Sequence, residues 1–284
     1  MLPEDVELAE WLPRLGVDPA DAADLLAARP GPERLTDLTR ARDELVAGIG
    51  TVGDELDWRE RPGEGNWLHA WALLSAVPAI RRYHEELGVP DEVSWYSLAD
   101  FGLQLARYRR LYGRPGLAAA NWLTLHFRGM LYRLGRLQFQ RAVVPEAGGP
   151  VLSVHITADG PLTPSACDES FARAVRFFAH HHPDDGYRRA YCHSWLMDEQ
   201  LARYLSPDAN IMRFQRRFVV PEVAPVQGAD LDVLKFVFDR PSDPLRPGDL
   251  DALPQRTSLQ RALVTHLRSG GHWWTRVGWC DLEP

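Results

Sequence analysis

The chain is poor in sulfur and almost without lysine. Its three cysteines, Cys167, Cys192 and Cys280, are an odd set with no CxxC pair. No disulfide framework or zinc knuckle is expected, and reduced thiols fit a cytoplasmic location. Lys235 is the sole lysine among 32 basic residues, a bias read as coding composition, since the two cations do similar work on a surface. An excess of positive charge is also missing. The net charge of −7 and pI near 5.8 argue against a nucleic-acid binder. No run approaches the roughly 18 apolar residues of a membrane span. The acidic start "MLPEDVELAEWLPRLG" lacks the basic-then-apolar plan of a signal peptide. Neither nucleic acid nor membrane is expected as a partner.

What is present is ordinary globular composition, 45% hydrophobic and 25% charged, enough to fill a core. Up to residue 134 the apolar period is helical. "DPADAADLLAARPG" offers Asp18 as N-cap, Pro19 at the first helical position and Pro30–Gly31 as a stop. "ERLTDLTRARDELVAGIG", "NWLHAWALLSAVPAIRRYHEEL", "SLADFGLQLARYRRLY" and "LAAANWLTLHFRGMLYRLG" carry stripes at the 3.6-residue spacing. Their aromatic residues read as interhelical packing, and the scattered His69, His84 and His126 form no metal-ligand cluster.

After Gly135 the period becomes two. "GRLQFQRAVV" and "PVLSVHIT" read as strands joined by "PEAGG". "LTPSACDESFARAVRFFAHHHP" reads as a long helix with Thr163 as N-cap and Pro164 at its first position. "RRAYCHSWL" is then a strand, "DEQLARYLSP" a short helix, "NIMRFQRRFVV" and "LDVLKFVFDR" two strands. A polar, proline-rich passage over residues 241–254 leads to a helix at "SLQRALVTHLRS" and a last strand at "HWWTRVGWC". The expected fold is α+β, an all-helical domain over residues 1–134 followed by a mixed-sheet domain with flanking helices over 135–284.

Several residues invite chemistry. "YCHSWLM" sets a thiol, an imidazole and a hydroxyl side by side, but alternation on a strand points Cys192 and Ser194 one way and His193 the other. Cys192 as a nucleophile needs a lowered pKa, which an apolar strand opposes. His155 is a candidate general base, because a modestly buried imidazole stays neutral at pH 7. His180, His181 and His182 fan around a helix end and do not converge on one ion, so no metal is expected. Gly270 reads as a left-handed helix stop.

"GRLQFQR", "VHITADGPLTPSACDESFARAVRFF", "CHSWLMDEQLARYL" and "NIMRFQRRF", in this order, resemble a bacterial family common in actinobacteria. It is described as acyltransferases with a helical N-terminal domain and a GNAT-like C-terminal domain. The resemblance implies N-acyl transfer from a thioester, acyl-CoA (acetyl-CoA included) or an acyl carrier protein, to a small-molecule amine by direct attack. It also implies two central strands, "PVLSVHIT" and "YCHSWLM", that splay to admit the pantetheine arm near His155, Cys192 and Ser194. Ile156, Thr157, Gly160, Thr163 and Ser194 would then bind the cofactor, and Tyr204 would protonate the leaving thiolate. Gln138, Trp195 and Gln215 would face substrate. One departure stands out. Where the superfamily carries a glycine-rich pyrophosphate turn, this chain has "TADGPLTPSA", with one glycine, a carboxylate and prolines that donate no N–H. A non-catalytic thioester or metabolite binder with a degenerate cleft is the alternative.

Overall fold

The computed structural model describes residues 2–282 except 54, 59–64, 158, 223–226, 242, 244, 245 and 247. Ala158 of the turn and part of the passage 241–254 lie outside the described residues. The chain divides into two compact units, Met1–Leu134 with Gln138–Val143, and Gly135–Leu137 with Val144–Pro284.

The first unit holds α1 (Asp5–Arg14), α2 (Pro19–Ala27), α3 (Leu35–Ala47), α4 (Trp67–Glu86), α5 (Asp91–Leu98), α6 (Asp100–Tyr112) and α7 (Ala120–Phe127). The adjacent strands β1 (Leu131–Leu134) and β2 (Leu137–Val144) follow, β2 lying mostly in this unit. The cap read for α2 forms as expected: the Asp18 carboxylate accepts from the amides of Ala20 and Asp21, both at 2.9 Å. Trp71, Leu74, Phe101, Leu105 and Phe127 are buried in one core. Helix α6 reaches the chain after α1 so closely that a Cβ on Gly102 would lie 2.1 Å from the Gly16 carbonyl oxygen, so only glycine fits.

Two helical readings need correction. The helix drawn through "NWLTLHFRGMLYRLG" stops at Phe127, and residues 131–134 are β1. Gly129, at φ +67°, takes the left-handed conformation that ends the helix. "DEVSWYSL" forms α5, which the periodicity passed over, and α6 starts afresh at Asp100.

The second unit contains β3 (Gly149–Ile156), α8 (Pro164–His181), β4 (Arg189–Ser194), α9 (Asn210–Gln215), β5 (Gln227–Gly228), α10 (Asp230–Val237), α11 (Asp249–Ala252), α12 (Ser258–Arg268) and β6 (Trp274–Asp281). Single 3-10 turns cover Trp195–Met197 and Glu199–Arg203. The order within this unit is β3-β4-β6-β5, with β3 and β4 parallel and β6 antiparallel to both its neighbours. Helix α8 therefore connects two parallel neighbours, as a βαβ unit requires.

Both strands drawn at "NIMRFQRRFVV" and "LDVLKFVFDR" are helices, α9 and α10. Short apolar runs do not distinguish the two states by period. In α10 the buried Val233 and Leu234 are flanked by exposed Leu231 and Phe236, the one-sided burial of a helix. Asp230 and Asp232 in its first turn suit the N-terminal dipole.

Candidate active site

The strands β3 and β4 are paired at only two positions, Leu152 with Ala190 and Ser153 with Tyr191. By contrast, β4 and β6 pair from Arg189 with Asp281 through to Ser194 with Arg276. Strand β4 thus follows β6 and departs from β3, and residues 154–156 and 192–194 run on without pairing to each other. The ladder therefore ends where the splay expected between these two segments would begin.

Leu152 lines one cavity with Ala174 and Phe178 of α8, so one face of the parallel pair is turned to that helix. Alternation puts Leu152, Ala190 and Cys192 on the helix side. Ser153, Tyr191, His155 and His193 share the opposite face. Two imidazoles therefore stand past the end of the ladder, one on each strand, each two residues beyond the last paired register.

His193 is exposed along one edge. Loss of water on its other side nonetheless lowers its pKa from 6.5, against the opposing pull of Asp232. It is neutral at pH 7 and can take a proton. Strand alternation, which separates His193 from Cys192, is the one signal in the sequence that points to this side chain.

Cys192 has no accessible surface, and burial pushes its thiol up to about 12 with a smaller contribution from Cys280. It stays protonated, which rules against the nucleophile reading. Ser194 caps the following turn, its Oγ accepting from the Leu196 amide at 3.1 Å. Trp195 is buried in that turn. Gln215 donates to the carbonyls of Leu196 and Asp198, both at 3.0 Å, so it braces the turn instead of facing substrate.

Tyr204 is engaged elsewhere. Its hydroxyl lies 3.0 Å from Nδ1 of buried His266 on α12, whose Nε2 lies 3.2 Å from the His272 carbonyl. A carbonyl can only accept, so Nε2 carries the proton and Nδ1 accepts from Tyr204. Gln138 lies in the helical unit. It is 2% exposed, and its amide reaches Asp100 Oδ1 at 3.2 Å and His126 Nε2 at 3.3 Å.

In the turn between β3 and α8, Thr157 is buried and Gly160 exposed, and Thr163 holds the N-cap position before Pro164. Asp159, which would repel phosphate, accepts from the Thr157 hydroxyl. Arg136, unremarkable in the sequence, reaches into the turn, its Nη1 donating to Thr157 Oγ1 at 3.0 Å and its Nη2 to the Gly160 carbonyl at 2.6 Å. Among the described residues no group of three or more His, Cys, Asp and Glu side chains is placed to hold a metal ion. His181 and His182 pack their rings against Phe177 and Phe178.

A mixed sheet whose parallel pair β3–β4 stops pairing beside a neutral imidazole is the arrangement expected of a GNAT-like fold. The family models agree: residues 131–280 match the GNAT-like C-terminal domain and residues 6–129 the N-acyltransferase N-terminal domain. The chain belongs to this two-domain N-acyltransferase family. It is similar to a crystal structure of an acyltransferase in complex with decanoyl-CoA and teicoplanin, at 39% identity and TM-score 0.87, covering 100% of this chain and 90% of that one. A structure of an acyltransferase with decanoyl-CoA has 38% identity, TM-score 0.87 and the same coverage. One with CoA and 10C-teicoplanin has 39% identity, TM-score 0.86 and again the same coverage. A search of curated proteins gives no match.

Proposed function

We propose that the chain transfers an acyl group from a coenzyme A thioester to an amine on a small-molecule acceptor. The observation that carries this reading is the two-register pairing of β3 and β4, a ladder that stops where the pantetheine arm would enter. The acyl-CoA and teicoplanin complexes of the similar acyltransferases support both the donor and the size class of acceptor. The turn from Ile156 through Thr157, Gly160 and Thr163 receives the diphosphate end of the donor.

The acceptor nitrogen attacks the thioester carbonyl, its proton passes to a base, and the C–S bond breaks to release the thiolate. His193 is that base: it is neutral, reachable from solvent and stands past the end of the ladder. His155 lies on the other strand on the same face, where it orients the reacting carbonyl. No acid from Tyr204 is required, because its proton is directed to His266 and a thiol is acidic enough to leave as thiolate. Residues 1–134 form the helical domain of this reading and 135–284 the transferase domain.

The test is incubation of the protein with decanoyl-CoA and a panel of amines, read by mass for acylated product and by thiol titration for released coenzyme A. A parallel reaction with a decanoyl acyl carrier protein decides which thioester is the donor. Tight coenzyme A binding with no acylated product from any amine would leave a binding protein and remove the enzyme.

A further inference from the structure

The β3–α8 turn lacks the glycines that let a chain wrap a phosphate, yet several of its polar atoms converge on one guanidinium. Arg136, at the hairpin between β1 and β2, directs its guanidinium into the turn. Nε donates to the Pro161 carbonyl at 3.1 Å, Nη1 to Thr157 Oγ1 at 3.0 Å, and Nη2 to the carbonyls of Thr157 at 3.0 Å and Gly160 at 2.6 Å. The base of Arg136 is fixed as well. Its amide donates to Ser170 Oγ at 2.8 Å, and the Leu137 amide to the same oxygen at 3.3 Å. Ser170, with no exposed surface, donates to the Ala166 carbonyl at 2.8 Å. Arg136 is thus tied to α8 at one end and to the turn at the other.

A carbonyl drawn onto a cation has a geometric consequence. In a trans peptide the N–H points opposite to the C=O, so holding the Pro161 carbonyl on Arg136 turns the Leu162 N–H to the other side. Three carbonyls of the turn are gathered on Arg136 while the Leu162 donor faces away from it, the polarity an anion needs. A second guanidinium, that of Arg217, holds the Pro164 carbonyl at 3.1 Å and Asp168 Oδ1 at 2.5 Å in the first turns of α8. Both arginines are close enough to lower the Cys167 thiol pKa, although burial dominates and raises it.

We propose that Arg136 is a positioning residue for the donor: it replaces the missing glycine-rich geometry by setting the peptide planes of the β3–α8 turn for the diphosphate of coenzyme A. The proposal rests on the acyltransferase reading. Its test is calorimetric titration of the full chain with coenzyme A and with S-octanoyl pantetheine, which keeps the arm and lacks the diphosphate. Wild type is expected to bind coenzyme A, and Arg136→Gln to bind it about tenfold or more weakly with unchanged affinity for the pantetheine thioester. Arg136→Lys, which keeps charge but loses the planar fork, is expected to recover only part of the loss. Equal weakening toward both ligands, full recovery by lysine, or coenzyme A affinity unchanged in Arg136→Gln overturns the positioning role. Wild type that binds no coenzyme A at all removes the donor reading itself.

Discussion

His155 on β3 and His193 on β4 each stand two residues past the pair formed by Ser153 and Tyr191, on the same face. Their roles differ in pH behaviour. With His193 as the proposed base, its pKa below 6.5 through loss of water leaves it able to accept a proton at neutral pH, and the rate is expected to fall as pH drops through that lowered pKa. His193→Ala is expected to slow turnover by about 10²–10⁴-fold, the usual contribution of a general base, and to erase the acid limb of the pH–rate profile. His155→Ala is expected to leave that limb in place. An acid limb that survives in His193→Ala and disappears in His155→Ala reverses the assignment.

Cys192 offers a sharper contrast. A thiol pushed up to about 12 is over 99.9% protonated at pH 8 (roughly, from four units of separation) and does not alkylate. Cys192→Ala should keep its turnover within about threefold, under 1 kcal/mol in barrier height. Cys192→Ser introduces an ill-matched hydroxyl into an apolar site and should destabilise the fold by about 1–3 kcal/mol. Rapid labelling of Cys192 by iodoacetamide in the folded protein contradicts this.

Tyr204 and His266 make a comparable separation of stability from rate. Removing the hydroxyl in Tyr204→Phe strips the hydrogen bond from Nδ1 of a histidine only 3% exposed, at a loss of about 1–3 kcal/mol. Turnover at saturating substrate is expected to change little. Turnover slowed by about two orders of magnitude, roughly 2.7 kcal/mol of barrier, with Tm unaffected would return Tyr204 to the chemistry.

The parts of the fold legible in the sequence are those with a long period or a local cap. Asp18–Pro19 and Thr163–Pro164 mark two helix starts, and the alternation in "PVLSVHIT" locates β3. Short apolar runs mislead. Residues 210–215 and 230–237 contain too few turns for a helical period to register, and in both cases tertiary burial of one side decides the state. At the site, strand alternation correctly separates His193 from Cys192, but which face lies against α8 depends on a crossover that no local pattern encodes. Arg136 is invisible for the same reason: its partners lie 21 to 25 residues away in a turn. Gln138 misleads because a glutamine on a strand reads as substrate-facing until its neighbour across the unit is known to be a buried carboxylate.

That carboxylate, Asp100, sits 3% exposed and accepts from Gln104 at 3.0 Å, Trp122 at 3.1 Å and Gln138 at 3.2 Å. Three donors satisfy its two buried oxygens, and His126 lies beside it with Nε2 3.9 Å from Oδ2. Burial depresses the His126 pKa, the Asp100 charge opposes this, and Arg133 adds to the depression. A histidine depressed below 6.5 when folded favours the fold while neutral, so its contribution is complete above pH 6.5 and lost as pH falls. Thermal unfolding should show Tm constant from pH 8 to 7 and falling toward pH 5, with stability declining by up to about 1.4 kcal/mol per pH unit for this one proton. His126→Gln should be less sensitive over the same range. Gln138→Leu removes a donor from the carboxylate and should lower stability at every pH by about 1–3 kcal/mol. Equal pH slopes for wild type and His126→Gln would show that this network does not govern the acid response of the helical unit.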